Sequence, residues 1–169
     1  MVNQEEMLAV LLAYSSTFQT LVGASTPTDA LARIAYGQAE EAADEPLEYP
    51  RAIVEEIERS RSNKATRTFV GRGALLLNIE AQPPDDQLET VEGQRAWFKT
   101  LVDAIELDLR TTSSSRATPT GYSVSHFQLK DITWNVEPFL MPEAEREDQA
   151  SDTTTLAKPL WCCQLRVEY

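Results

Sequence analysis

Strict alternation of apolar and polar positions is clearest in two stretches. In FVGRGALLLNIE, Phe69 to Glu80, residues Leu75, Leu77 and Ile79 fall on one strand face, and Ala74, Leu76, Asn78 and Glu80 fall on the other. The run predicts an inner strand of a sheet, with Gly71 and Gly73 marking a bulge or close backbone approach at its start. Near the end of the sequence, Trp161, Cys163, Leu165, Val167 and Tyr169 alternate with Cys162, Gln164, Arg166 and Glu168, which predicts a second strand with Cys163 in the core.

Helical periodicity appears twice. Met7, Leu11, Tyr14, Phe18 and Leu21 recur every three or four residues after the Asn3–Glu6 capping spacing, so a first helix is expected from about Gln4 to Val22, closed by Gly23. Phe98, Leu101, Val102, Ile105 and Leu109 form a second stripe, with Lys99, Asp103 and Glu106 off it, and predict a helix from about Glu92 to Arg110.

The remaining segments are more equivocal. Ile34 to Tyr36 fits a brief strand or a packed loop. RAIVEEIE after Pro50 places Ile53 and Ile57 on one strand face, with helix as the competing reading. Beyond Gly121, Phe127 and Leu129 have one parity and Ile132, Trp134 and Val136 the other, so a bulge near Lys130 and Asp131 is expected, with Pro138 ending the strand. The TTSSSRATPTG stretch reads as loop. The sum is α+β: one domain over residues 1–169, with a four-stranded antiparallel or mixed sheet packed with two main helices.

Composition narrows the function. With 169 residues, 42% of them hydrophobic, the chain can build a core without metal or disulfide staples. Its formal net charge of -12 argues against a general binder of nucleic acid or anionic membrane. No apolar run approaches the roughly 20 residues of a membrane-spanning helix, and the N-terminus carries Glu5 and Glu6 where a secretory leader is basic. A soluble, intracellularly made protein is expected. Cys162 and Cys163 are adjacent, a poor geometry for a bridge, which fits a reducing compartment.

The charge is laid out in blocks. Glu40, Glu41, Asp44, Glu45 and Glu48 form an acidic loop with no base. Arg59, Arg61, Lys64, Arg67 and Arg72 include no acid between them, and residues 59–68 read as an extended basic hairpin arm between two strands. Glu143, Glu145, Glu147, Asp148 and Asp152, against Arg146 alone, make residues 139–157 a second acidic loop. Catalytic signals are missing: His126 is the single histidine and reads as an ordinary strand residue, and no HxxxH, CxxC or GxSxG spacing occurs. GRG at Gly71 to Gly73 leads into a strand instead of a helix and is no phosphate loop. No catalytic, cofactor or metal residue is assigned.

The order of parts carries one resemblance. An N-terminal helix, the strand opening Tyr49-Pro50-Arg51-Ala52-Ile53-Val54, a basic arm and FVGRGALLLNIEAQ are followed by a helix with LVDAI at Leu101 to Ile105, by EPF at Glu137 to Phe139, and by LWCCQLRVEY. Together these resemble the tail terminator, or tail-completion, proteins of long-tailed bacteriophages. The resemblance implies a structural virion subunit without enzymatic activity or cofactor. Such a subunit assembles as a homo-oligomeric ring, commonly a hexamer, on the head-proximal end of the tail tube, stops tube polymerisation and forms the head–tail joining surface. The implied partners are a second copy of the chain, the tail-tube protein and the head connector or head-closure protein. DNA would pass through without specific binding, and the protein would sit at the tail–neck junction of the virion after assembly in the host cytoplasm, with no membrane involved. On that reading Arg59, Arg61, Lys64, Arg67 and Arg72 meet a neighbouring subunit or the tube. Glu40, Glu41, Asp44, Glu45, Glu143, Glu145, Glu147 and Asp148 then offer an acidic counter-surface or line the lumen. A tail-tube or head-closure subunit, a small non-viral adaptor domain and an acid–base hydrolase are the alternatives.

Overall fold

The computed structural model describes residues 4–37, 47–60, 72–114, 129–142 and 158–169. The stretch Leu75 to Ile79 is the middle of the structure: β3 (Arg72–Ala81) is the third strand of a mixed five-stranded sheet, ordered β1-β2-β3-β5-β4. Its neighbours β2 (Arg51–Ser60) and β5 (Trp161–Glu168) both run antiparallel to it. β4 (Asp131–Leu140) pairs antiparallel with β5 on one edge, and β1 (Ile34–Tyr36) pairs parallel with β2 on the other. The fifth strand is β1, three residues that sequence periodicity leaves between strand and loop. A parallel partner in β2 resolves them, and Gly37, at φ 63°, turns the chain away.

One face of the sheet is dry. Leu75, Leu77, Ile79 and Ala81 of β3 are buried in register with Cys163, Leu165 and Val167 of β5 and with Ala52 and Val54 of β2. Helices cover this face: α1 (Gln4–Ala13) lies against β1 and β2, and α4 (Val91–Ser114) reaches β4. Phe98, Val102, Ile105 and Leu109 of α4 are fully buried, as the periodicity predicts, and join one continuous α+β core with Leu8, Leu12 and Phe18. The α4 start is capped by Thr90, whose Oγ1 accepts from the Gly93 N–H at 3.0 Å. A Cβ at Gly93 would stand 2.8 Å from that oxygen, so glycine keeps the cap compact.

The first helix departs from expectation. It breaks at Tyr14–Ser15 into α1 and α2 (Ser16–Val22), because Ser15 adopts an extended backbone and caps α2 by accepting from the Phe18 N–H at 3.2 Å. Tyr14, expected on the apolar stripe, falls at the break and is 39% exposed. Every residue from Met7 to Ala13 is buried, so α1 is an interior helix instead of an amphipathic one. Gly23 ends α2 in the left-handed conformation as predicted. Thr26 then caps a short α3 (Pro27–Leu31), with Pro27 in its first turn.

Several strand details add to or differ from the expectation. β2 is a strand, but its core residues are Ala52 and Val54, while Ile53 lies on the opposite face and Ile57 sits at a bulge, 43% exposed. The bulge seen in this ladder is on β2, between Glu56 and Glu58 and opposite Ala74 and Leu75; Gly73 pairs regularly with Arg59, and Gly71 lies outside the described residues. In β4 register shifts fall at Trp134/Val136 and Val136/Phe139, and at the expected Lys130–Asp131 position both residues meet Glu168, Asp131 as its register partner and Lys130 through its N–H, which donates to the Glu168 carbonyl at 2.7 Å. Pro138 does not end β4, which runs to Leu140; an edge strand tolerates a residue with no N–H. Cys162 and Cys163 are both buried, although they point to opposite faces.

Candidate interaction surface

Two features of the sheet offer a surface: the far end of the β2–β3 hairpin and the face away from the helices. The two ten-residue strands form nine register pairs, the last of them Glu58 with Ala74, Arg59 with Gly73 and Ser60 with Arg72. Gly73 exchanges backbone hydrogen bonds of 3.2 and 3.1 Å with Tyr169, so β3 is held on both sides up to that residue. Arg59 and Arg72 thus occupy adjacent register positions at the last described pairs of the hairpin. Arg61, Lys64 and Arg67 lie outside the described residues, as do Glu40, Glu41, Asp44 and Glu45 of the first acidic loop and Glu143, Glu145, Glu147 and Asp148 of the second. Glu48, at the end of the first loop, lies 3.9 Å from Arg33 and is 83% exposed.

Among the described residues no element packs on the sheet face opposite the helices, and that face is polar at its centre. Asn78 of β3 accepts from Gln164 Nε2 at 2.7 Å, and Gln164 Oε1 in turn accepts from Asn135 Nδ2 of β4, so three neutral amides cross three strands in line. Beside them Arg51 Nε donates to Glu80 Oε2 at 2.7 Å, with the two side chains only 5% and 12% exposed. Arg51 also donates to the Leu47 carbonyl at 3.1 Å, and its guanidinium lies 4.7 Å from the Tyr49 ring centroid. Val136 and Phe139 stand 40% exposed on the β4 side. Sequence reading missed this arrangement. Asn78, Gln164 and Glu80 were legible as outward strand positions, but which of them meet depends on register, which alternation alone leaves open.

The groups on this face hold hydrogen bonds and an ion pair to each other. Burial pushes the Cys163 thiol up to about 12, with the backbone at Ile79 opposing that shift, so it is a core side chain and not a nucleophile at neutral pH. Among the described residues no three His, Cys, Asp or Glu side chains are grouped to hold a metal ion, and no helix is long and apolar enough to cross a membrane. His126 lies outside the described residues.

No known protein family matches this chain, and no curated protein matches it either.

Proposed function

We propose that the protein caps the head-proximal end of a bacteriophage tail tube as a ring, ending tube polymerisation and forming the surface that joins the head. The observation that supports this most is the β2–β3 ribbon. It ends, among the described residues, on the pairs Arg59 with Gly73 and Ser60 with Arg72, which flank the Arg61–Lys64–Arg67 segment in sequence, and its second strand is the central strand of the sheet. A charged arm on a rigid base suits a head-to-tail contact between identical subunits, because such a contact joins unlike surfaces of one chain. Arg59, Arg61, Lys64, Arg67 and Arg72 are the contact residues in this reading. Glu40, Glu41, Asp44, Glu45, Glu143, Glu145, Glu147 and Asp148 are the acidic counter-surface or the lumen wall. The role is structural, with no chemistry and no cofactor, and the site of action is the tail–neck junction. DNA passes the acidic lumen without specific binding. Exchange of Arg61, Lys64 and Arg67 for Glu tests the contact: ring formation and tube binding, seen by negative-stain imaging, should be lost. Rings and capped tubes indistinguishable from wild type would refute the assignment of the arm.

A further inference from the structure

Among the described residues β4 is the last strand of the sheet, and a bare strand edge is a template on which another chain can add. Which of its backbone groups turn outward follows from the pairing. Gly73 and Tyr169 bond each other through both backbone groups, so odd-numbered residues of β5 bond towards β3 and even-numbered ones towards β4. Ile132 lies opposite Val167, an odd-numbered residue, and its amide and carbonyl therefore point away from the sheet.

Both groups are occupied. The Ile132 N–H donates to Asp131 Oδ1 at 2.9 Å, and the Ile132 carbonyl accepts from Arg110 Nη2 of α4, also at 2.9 Å. Arg110 is steadied by Glu106 at 2.8 Å and reaches Asp131 at 3.5 Å. Further along, the shifts at Trp134/Val136 and Val136/Phe139 interrupt the regular repeat of outward donors and acceptors. Pro138 has no N–H to offer. Three devices thus act along the strand, although its own Val136, Phe139 and Leu140 are 38–40% exposed and would favour association.

We infer that the Arg110–Asp131 clasp, the bulges and Pro138 together seal the β4 edge against strand pairing with a second copy of this chain. The inference does not depend on the tail-end reading, since a ring built through other faces leaves the edge sealed. The test is the variant Arg110→Ala/Asp131→Val/Pro138→Val, compared with wild type by sedimentation velocity over a concentration series and by hydrogen exchange. The variant should self-associate about tenfold more strongly or better, with residues 131–140 gaining protection in the associated form. A folded variant that sediments like wild type, or one whose new protection lies away from β4, overturns the proposal. If the triple variant does not fold, Asp131→Val/Pro138→Val keeps the Arg110–Glu106 pair and is judged by the same outcomes. In wild type the Ile132 amide should exchange slowly, and rapid exchange of that amide in the folded protein also overturns it.

Discussion

The Asp108 carboxylate of α4 accepts a 2.6 Å hydrogen bond from the Ser15 hydroxyl and a 3.2 Å bond from the Thr17 N–H, tying the start of α2 to the second main helix across 93 residues of sequence. This contact lies at the point where the first helix breaks. Ser15 hands its hydroxyl hydrogen to Asp108 while its oxygen caps α2, so one side chain serves both elements. Asp108→Ala removes both acceptor contacts and should cost about 1–2 kcal/mol in urea unfolding at neutral pH.

The same carboxylate gives a pH signature. Burial favours its neutral form, but the hydrogen bonds from Ser15 and Thr17 outweigh that and hold the Asp108 carboxyl below the ordinary aspartate value. A lowered folded-state value means that the contribution is full above about pH 4, where the unfolded chain is ionised, and is lost as pH falls through the folded value. The stability gap between wild type and Asp108→Ala should therefore narrow in acid. A gap that stays constant between neutral pH and pH 3 would show that the carboxylate charge is not what holds α2.

Arg51 and Glu80 make a second, sharper case. Both side chains are nearly sealed from water, so removing one partner leaves the other charge buried. Arg51→Met should cost about 3–5 kcal/mol, whereas Arg51→Met/Glu80→Leu should recover most of it, because the desolvated charges disappear together. A double variant as unstable as the single one would mean that the Arg51 contacts to Leu47 and Tyr49 matter more than the ion pair.

The legible parts of the fold are those where one periodicity dominates locally. Leu75, Leu77 and Ile79 alternate without interruption and are fully buried in the central strand, and the Phe98 to Leu109 stripe marks α4. Where two signals compete, sequence reading went astray. Ile53 and Ile57 outweigh Ala52 and Val54 in hydrophobicity, yet the smaller pair faces the helices, where α1 packs closely against β2. At Ser15 the continuous apolar stripe competes with a serine cap, and the cap wins, with Asp108, 93 residues away, bonded to the same hydroxyl. Pro138 reads as a stop until β4 is known to be an edge. The charge blocks are legible in the sequence, whereas the amide row of Asn78, Gln164 and Asn135 requires the register of three strands.

The central claim is that this chain ends tail growth, and tail length is its direct readout. Deleting its gene from a phage that carries it, and imaging the products by negative stain, should give tails of uncontrolled length that fail to join heads. Restoring the wild-type gene should return a single length, and the Arg61→Glu/Lys64→Glu/Arg67→Glu form should not. Tails of normal, uniform length joined to heads in the deletion strain would contradict the account.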